Sequence, residues 1–339
     1  MTPLARPREV PGAASPLTRT VLTGPARQAT VVASFPSALY LLAGGHHEVL
    51  PVLASDALML PTGTRLSAPG REVSWGVGPG DQVTIGDSRI RLPSWQVNVV
   101  REWRPAHVRA VWTLLESRSL SSWADQLCRR ASAPALVDQA DAVCRVARDG
   151  DEAGVRDRVR GLLGAGQGLT PSGDDALCAV LLVLNGIGEA EPIALLSNAV
   201  REQWTGTTSL SASLLEAAAG GYAVPQLVAL VDGVLGGNLD AVRQALTSTL
   251  AIGHQSGADL VAGLAGSLRA LAGAPSGTAP TLSPTVKEPE TMSKRCSDIS
   301  FIPRRRPVSG AHPGGLKSLT DPNALSSLND PGPRKRGNP

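Results

Sequence analysis

The period of the apolar positions divides the chain in two. From about Ala26 to Val100 the apolar residues come in short runs broken by glycine, proline and aspartate, which predicts strands. The expected strands are residues 29–35, 38–42, 48–53, 57–60, 73–77, 82–85, 89–92 and 96–100. The turns between them include Gly44-Gly45, Pro61-Thr62-Gly63, Gly78-Pro79-Gly80-Asp81 and Gly86-Asp87. Such closely spaced turn signals predict a compact barrel or sandwich of roughly 70 residues. Pro105 breaks this pattern, and beyond it the apolar positions recur every three or four residues. Helices are predicted over 108–116, 121–130 (with Ser121 or Ser122 as cap), 134–148, 151–163, 176–184, 192–204, 212–219, 225–235, 238–251 and 260–271. In the third of these, Leu136, Ala140, Val143, Cys144 and Ala147 share one face.

The expected fold class is therefore α+β. A small N-terminal β-barrel or sandwich-like domain (26–104) precedes a larger all-helical domain (105–272). Residues 1–25 lack periodicity and are expected to be a disordered lead-in. Residues 273–339 hold 11 of the 27 prolines and basic clusters at Arg304-Arg305-Arg306 and Arg334-Lys335-Arg336, which predicts a disordered Pro-rich basic tail.

Composition narrows the partners. The chain is 42% hydrophobic but only 3% aromatic, so its core is built from Leu, Val and Ala. The net charge of +3 is unevenly placed: residues 287–339 hold 10 Lys/Arg and 5 Asp/Glu, the rest 22 and 24. The part expected to fold is nearly neutral, which argues against a nucleic-acid surface. Cys128, Cys144, Cys178 and Cys296 form no CxxC pair and read as reduced thiols of an intracellular protein. No apolar h-region precedes Val31, and the longest apolar run, 176–184, is too short to span a bilayer, so a cytoplasmic protein without membrane contact is expected.

The chemistry is expected around residues 164–175, Gly-Ala-Gly-Gln-Gly-Leu-Thr-Pro-Ser-Gly-Asp-Asp, which run directly into the apolar helix 176–184. Gly164, Gly166 and Gly168 allow close backbone approach to a ligand. Pro171 marks the boundary, and Ser172 with Asp175 three residues on resembles a capping box. A helix start of this kind offers free N–H groups and attracts anions. It is not a Walker loop: no Lys follows the last glycine, and Asp174 and Asp175 would repel a nucleotide phosphate. A partial copy, Ser256-Gly257-Ala258-Asp259, opens the helix 260–271. A third hydroxyl-rich start is Thr207-Thr208-Ser209. If the two Ser-Gly-x-Asp helices pack in parallel, Ser172 and Ser256 face one point. The three starts would then bind a small carboxylate or phosphate through Gly164, Gly166, Gly168, Thr170, Ser172, Gly173, Thr207, Thr208, Ser209, Ser256, Gly257 and Asp259. Plain capping at three places accounts for the same Ser, Thr and Asp residues singly. Asp174, Asp175 and His254 are the candidate catalytic groups: a carboxylate to orient or deprotonate a nitrogen, and an imidazole as acid, base or anion ligand, or else merely bonded to a loop carbonyl. Arg156, Arg158 and Arg160 form a solvated face or lend charge to the same anion. His46 and His47 sit on a turn, where a metal ligand pair is conceivable and plain solvent exposure is the simpler reading. Neither a metal nor another cofactor is expected.

These residues carry a resemblance. The G-x-G-x-GLTPSGDD element at 164–175, Thr207-Thr208-Ser209-Leu210-Ser211 before Leu214-Leu215-Glu216-Ala217-Ala218, Gly253-His254-Gln255-Ser256-Gly257-Ala258-Asp259, Ser34-Phe35, Leu41-Leu42-Ala43-Gly44 and Gly76-Val77-Gly78-Pro79-Gly80 resemble the AllH family over about residues 27–272. The resemblance implies a subunit of an oxamate carbamoyltransferase-like complex in allantoin breakdown. That subunit would work with FdrA-like and AllG-like proteins on carbamoyl phosphate and a small carboxylate-bearing amide. It leaves open which subunit holds the catalytic groups. A non-catalytic subunit that binds a small anion or serves assembly is the alternative.

Overall fold

A computed structural model of the protein describes residues 7–111 and 115–273. Eight strands close into a barrel: β1 (Arg8–Ala14), β2 (Arg27–Phe35), β3 (Ala38–Leu42), β4 (Val49–Leu53), β5 (Thr64–Leu66), β6 (Gln82–Gly86), β7 (Arg89–Arg91) and β8 (Trp95–Glu102), in the order β1-β5-β4-β3-β2-β6-β7-β8. A short helix α1 (Arg19–Thr23) lies between β1 and β2. The β6–β7 hairpin turns through Asp87 and Ser88, both at positive φ (50° and 58°), as a two-residue turn with this twist requires.

The barrel closes through a segment expected to be disordered. β1 pairs in parallel with β8 from Arg8↔Trp95 to Ala14↔Glu102 and antiparallel with β5 at Gly12↔Leu66. The lead-in reading of residues 1–25 is thus corrected over the residues described. Pro11 and Gly12 hide this strand from a propensity reading. Yet Gly12 is needed there, because a Cβ would stand 2.8 Å from Val97 Cγ1. Two expected strands are absent. Residues 57–60 are irregular, although Leu60 is buried. Residues 73–77 also pair with nothing: Gly76 turns the backbone at φ +66°, and Trp75 covers the barrel core with its Nε1–H donating to the Phe35 carbonyl (2.6 Å).

Two hydrophobic cores meet at β3 and β4. Leu39, Leu41, Leu50 and Val52 point into the barrel, joined there by Val31, Ile85, Ile90 and Val97. Their alternates Ala38, Val49 and Leu53 belong to the helical core, with Tyr40 and Leu42 packed on it. That double burial explains why β4 reads as a continuous apolar run rather than an alternating one.

The helical part comprises α2 (Ser117–Cys128), α3 (Pro134–Arg148), α4 (Glu152–Leu162), α5 (Ser172–Ile187), α6 (Ala190–Gln203), α7 (Ser209–Ala219), α8 (Pro225–Leu235), α9 (Leu239–Leu250) and α10 (Ser256–Ala272). The helix expected over 108–116 is not formed by its described residues 108–111: Val108 N–H donates to the Gly221 carbonyl beside a bridge from His107 to Tyr222. α2 starts ahead of the expected cap at Ser121 or Ser122. α5 is buried on almost every side and ends at Gly188, whose φ of +74° closes the C-cap. α10 runs parallel to α5 at very close range, since a Cβ on Gly263 would fall 2.7 Å from Ala176 Cα. The tail expected at 273–339 lies, apart from Gly273, outside the described residues. Among the described residues no helix is long and apolar enough to cross a membrane.

Candidate functional site

The loop between α4 and α5 is built to bring three helix starts together. Gly164, Gly166 and Gly168 all have positive φ (75°, 125° and 90°), which L side chains rarely adopt. Pro171, not Ser172, takes the N-cap position of α5, and no side chain caps this end, so the expected capping box does not form. The Gly173 N–H donates instead to the Ala165 carbonyl (2.9 Å). Gly173 packs so tightly on the Leu162 carbonyl that no Cβ fits.

Asp174 ties this loop to the start of α7. Its Oδ1 accepts from the Gly164 N–H (2.8 Å) and its Oδ2 from the Thr207 hydroxyl. Only 1% of its surface is exposed. Burial raises its pKa, and the bonds to Thr207, Gly164 and Ser211 pull the other way. Thr208 caps α7 by accepting from the Ser211 N–H (3.1 Å), while its hydroxyl donates to the Leu169 carbonyl (2.6 Å). The N–H groups that would serve an external anion are thus largely bonded within the chain. Gly257 N–H at the start of α10 likewise donates to Ile252 (3.0 Å).

The histidine turn of the barrel docks on the same region. His46 Nε2 lies 3.0 Å from the Thr207 carbonyl and Nδ1 3.3 Å from the Ser209 hydroxyl. The carbonyl can only accept, so the proton sits on Nε2 and Ser209 donates to Nδ1. His47 stacks on Trp204 with centroids 4.2 Å apart. The solvent-exposed reading of this pair is therefore corrected: it fastens the barrel to the helices.

Parallel packing of α5 and α10 places Thr170 Oγ1 2.9 Å from Ser256 Oγ, with Asp175 beside them. Asp175 is 6% exposed, and its Oδ2 has no hydrogen-bond partner among the described residues. Burial raises its pKa to about 8, reinforced by the charges of Asp259 and Asp174 and opposed by the Ser256 and Thr170 hydroxyls. At neutral pH this carboxyl is mostly protonated.

Thr170, Asp175 and Ser256 line one end of a cavity of about 510 Å³ at the seam between barrel and helices. Its walls are apolar: Phe35, Tyr40 and Leu53 from the barrel side, Leu210, Leu214 and Leu227 from the helices. Cys178, one turn beyond Asp175, also lines it, with a thiol pKa held well above its usual value by burial. Among the described residues, no Lys, Arg or His lines it.

Of the sequence-predicted residues, the fold gathers Gly164, Thr207, Thr208 and Asp174 into one hydrogen-bonded knot, and Thr170, Asp175 and Ser256 at the cavity. Ser209 bonds His46, and Ser172 is half-buried at the first turn of α5. Gly166 and Gly168 are exposed on the loop, Gly257 packs on the α9 backbone, and Asp259 is buried. His254 is exposed and does not line the cavity, so it does not join the other two candidates. Asp174 does not line it either; its carboxylate is engaged by Gly164 and Thr207. The cavity walls on β3 and after β4 went unforeseen; the one available signal was the apolar outward face of those strands. Among the described residues no group of three His, Cys, Asp or Glu side chains is placed to hold a metal.

Comparison with known proteins bears on this same region. Residues 162–268 match the family model described as oxamate carbamoyltransferase subunit AllH. Over this segment the chain is AllH-like. The match runs from the end of α4 into α10 and contains the starts of α5, α7 and α10. No curated protein and no solved structure matches the chain.

Proposed function

We propose that the chain is a subunit of a carbamoyltransferase-type complex, assembled with FdrA-like and AllG-like partners, and that its seam cavity holds the small amide acceptor. The observation that carries this reading is the buried Asp175 carboxyl, whose Oδ2 has no hydrogen-bond partner among the described residues, in an AllH-like segment. In carbamoyl transfer the acceptor nitrogen bonds to the carbamoyl carbon, phosphate departs with the C–O bond, and the nitrogen sheds a proton. Asp175, with a pKa of about 8, takes that proton in its ionised form, a minor fraction at neutral pH that grows toward pH 8. Thr170 and Ser256 orient the acceptor's amide. A wall without cations does not suit a phosphate dianion, so the phosphate of carbamoyl phosphate is assigned to a partner subunit.

The test is transfer from carbamoyl phosphate to oxamate by the reconstituted complex. Asp175→Asn should lower the rate by about 10²-fold or more, and the wild-type rate should rise with pH toward about 8. Activity of the variant within a factor of two of wild type would end the assignment. The cavity's apolar walls favour a second reading, a subunit that binds a small ligand without catalysing. Ligand binding by the isolated chain, combined with full activity of the Asp175→Asn complex, would select it.

A further inference from the structure

We propose that a groove on the barrel, where β1 lies between β5 and β8, binds a small-molecule oxyanion: a phosphate or carboxylate head against Arg65 and Arg101, on an apolar body that covers Val100 and Trp103. The groove shares no lining residue with the seam cavity and lies outside residues 162–268, so the proposal is independent of the transfer reading.

Strand register puts the two arginines together. Ala13 of β1 stands opposite Arg65 of β5 on one side and opposite Arg101 of β8 on the other. A bulge between Gly12 and Ala13 sets Arg101, rather than Val100, at that place. The small side chain between them leaves a groove of about 600 Å³, the size of a small-ligand pocket rather than of a protein interface. Neither guanidinium makes an ion pair among the described residues. Arg65 is half-buried: its Nη2 donates to the Ser55 carbonyl (3.3 Å), while its Nε is buried without a partner among the described residues. It lies over the Trp103 ring, 6.0 Å from the centroid, and that ring is fixed by its Nε1–H donating to the Gly63 carbonyl (2.9 Å). A guanidinium on an aromatic face keeps in-plane N–H groups for an acid, and its fork suits phosphate and carboxylate alike. The hydroxyl-bearing Ser55 and Ser67 line the same groove. Glu102 lines it too, but Arg19 pairs with that carboxylate at 3.3 Å, so the groove stays positive. Val100, 65% exposed, is the most exposed large apolar side chain among the described residues and offers the body a contact. A cationic ligand would meet two arginines, and a neutral one would leave both charges unanswered.

The test is calorimetric titration of the full chain with inorganic phosphate, phenyl phosphate, phenylacetate, phenol and a tetraglutamate peptide. Phenyl phosphate should bind at least about threefold more tightly than inorganic phosphate, because its ring covers Val100 and Trp103, and phenol should not bind. Comparison of phenyl phosphate with phenylacetate tells which head the groove prefers. Raising the salt from about 50 to about 500 mM should weaken the complex at least threefold. Arg101→Gln alters an exposed side chain without an ion pair and should weaken phenyl phosphate about tenfold with the fold intact by circular dichroism. Arg65→Lys, which keeps the charge and loses the fork, should weaken it by a similar factor, and Glu102→Gln should tighten it. Arg118→Gln, on α2, should change nothing. No binding of phenyl phosphate or phenylacetate at millimolar concentration would overturn the proposal. So would an Arg101→Gln affinity equal to that of wild type, or tetraglutamate binding more tightly than both, which would make the groove a docking place for an acidic protein segment. Neither result touches the transfer reading, which is tested at Asp175.

Discussion

Replacing Asp175 with Asn should stabilise the fold while lowering the proposed transfer rate. The group is 6% exposed with one oxygen unpartnered, and burial raises its pKa from 3.8 to about 8. The unfolded chain therefore releases this proton near pH 4 and the folded chain only near pH 8. Between those values the unfolded state holds fewer protons, so stability falls as pH rises, by up to about 1.4 kcal/mol per pH unit. From pH 5 to pH 8 the loss works out to roughly 3–4 kcal/mol, and below pH 4 the penalty vanishes. Asn keeps the shape and cannot ionise. Urea denaturation of wild type and variant at pH 5, 6, 7 and 8 should give curves that diverge with pH, with Asn the more stable. Asp174, Asp259 and Cys178 stand near the group in both proteins, so the difference isolates Asp175 to a first approximation. Parallel curves would show that the carboxyl is solvated or ion-paired in the folded protein, and the argument for a neutral acid in the cavity would fall with them.

The remaining expectations concern the scaffold. Asp174→Ala leaves the Gly164 N–H and the Thr207 hydroxyl without their acceptor and should cost about 2–4 kcal/mol in denaturant titrations, with Asp174→Asn milder; an unchanged midpoint would show that these bonds do not hold the loop on α7. Gly263→Ala puts a Cβ against the Ala176 backbone and should cost at least about 2 kcal/mol, read as a lowered melting temperature. His46→Ala removes the bonds to Thr207 and Ser209 that hold the barrel turn on α7. It should cost about 1–2 kcal/mol and speed amide exchange in that turn, whereas an effect confined to activity would point to a chemical role instead.

What the sequence made legible follows from how local each feature is. β2, β3, β4, β6, β7 and β8 announced themselves by apolar runs between turn residues, and the helices from α3 onward by their period. β1 did not, because its Pro11 and Gly12 are chosen by the closure contact with β8 and β5, a constraint far away in sequence. The same holds at the site. That the Gly-rich loop and the Ser-Gly-x-Asp starts meet could be read from their repetition. Which of two adjacent aspartates faces the cavity could not, because it depends on the rotation of α5 against α7 and α10.

The repetition itself has a packing origin that bears on the chemistry. Gly173 and Gly257 occupy equivalent places in the two Ser-Gly-x-Asp segments, and each lies flat on a carbonyl of the preceding helix, Leu162 in one case and Thr249 in the other. Both glycines are thus accounted for by tight entry into a helix, without any ligand. The equivalent aspartates differ in consequence. Once the two helices run side by side, Asp259 adds its charge to the burial that already raises the pKa of Asp175. A motif that secures two helix starts separately creates, when doubled and packed in parallel, a carboxyl that keeps its proton at neutral pH. Capping alone does not call for that property.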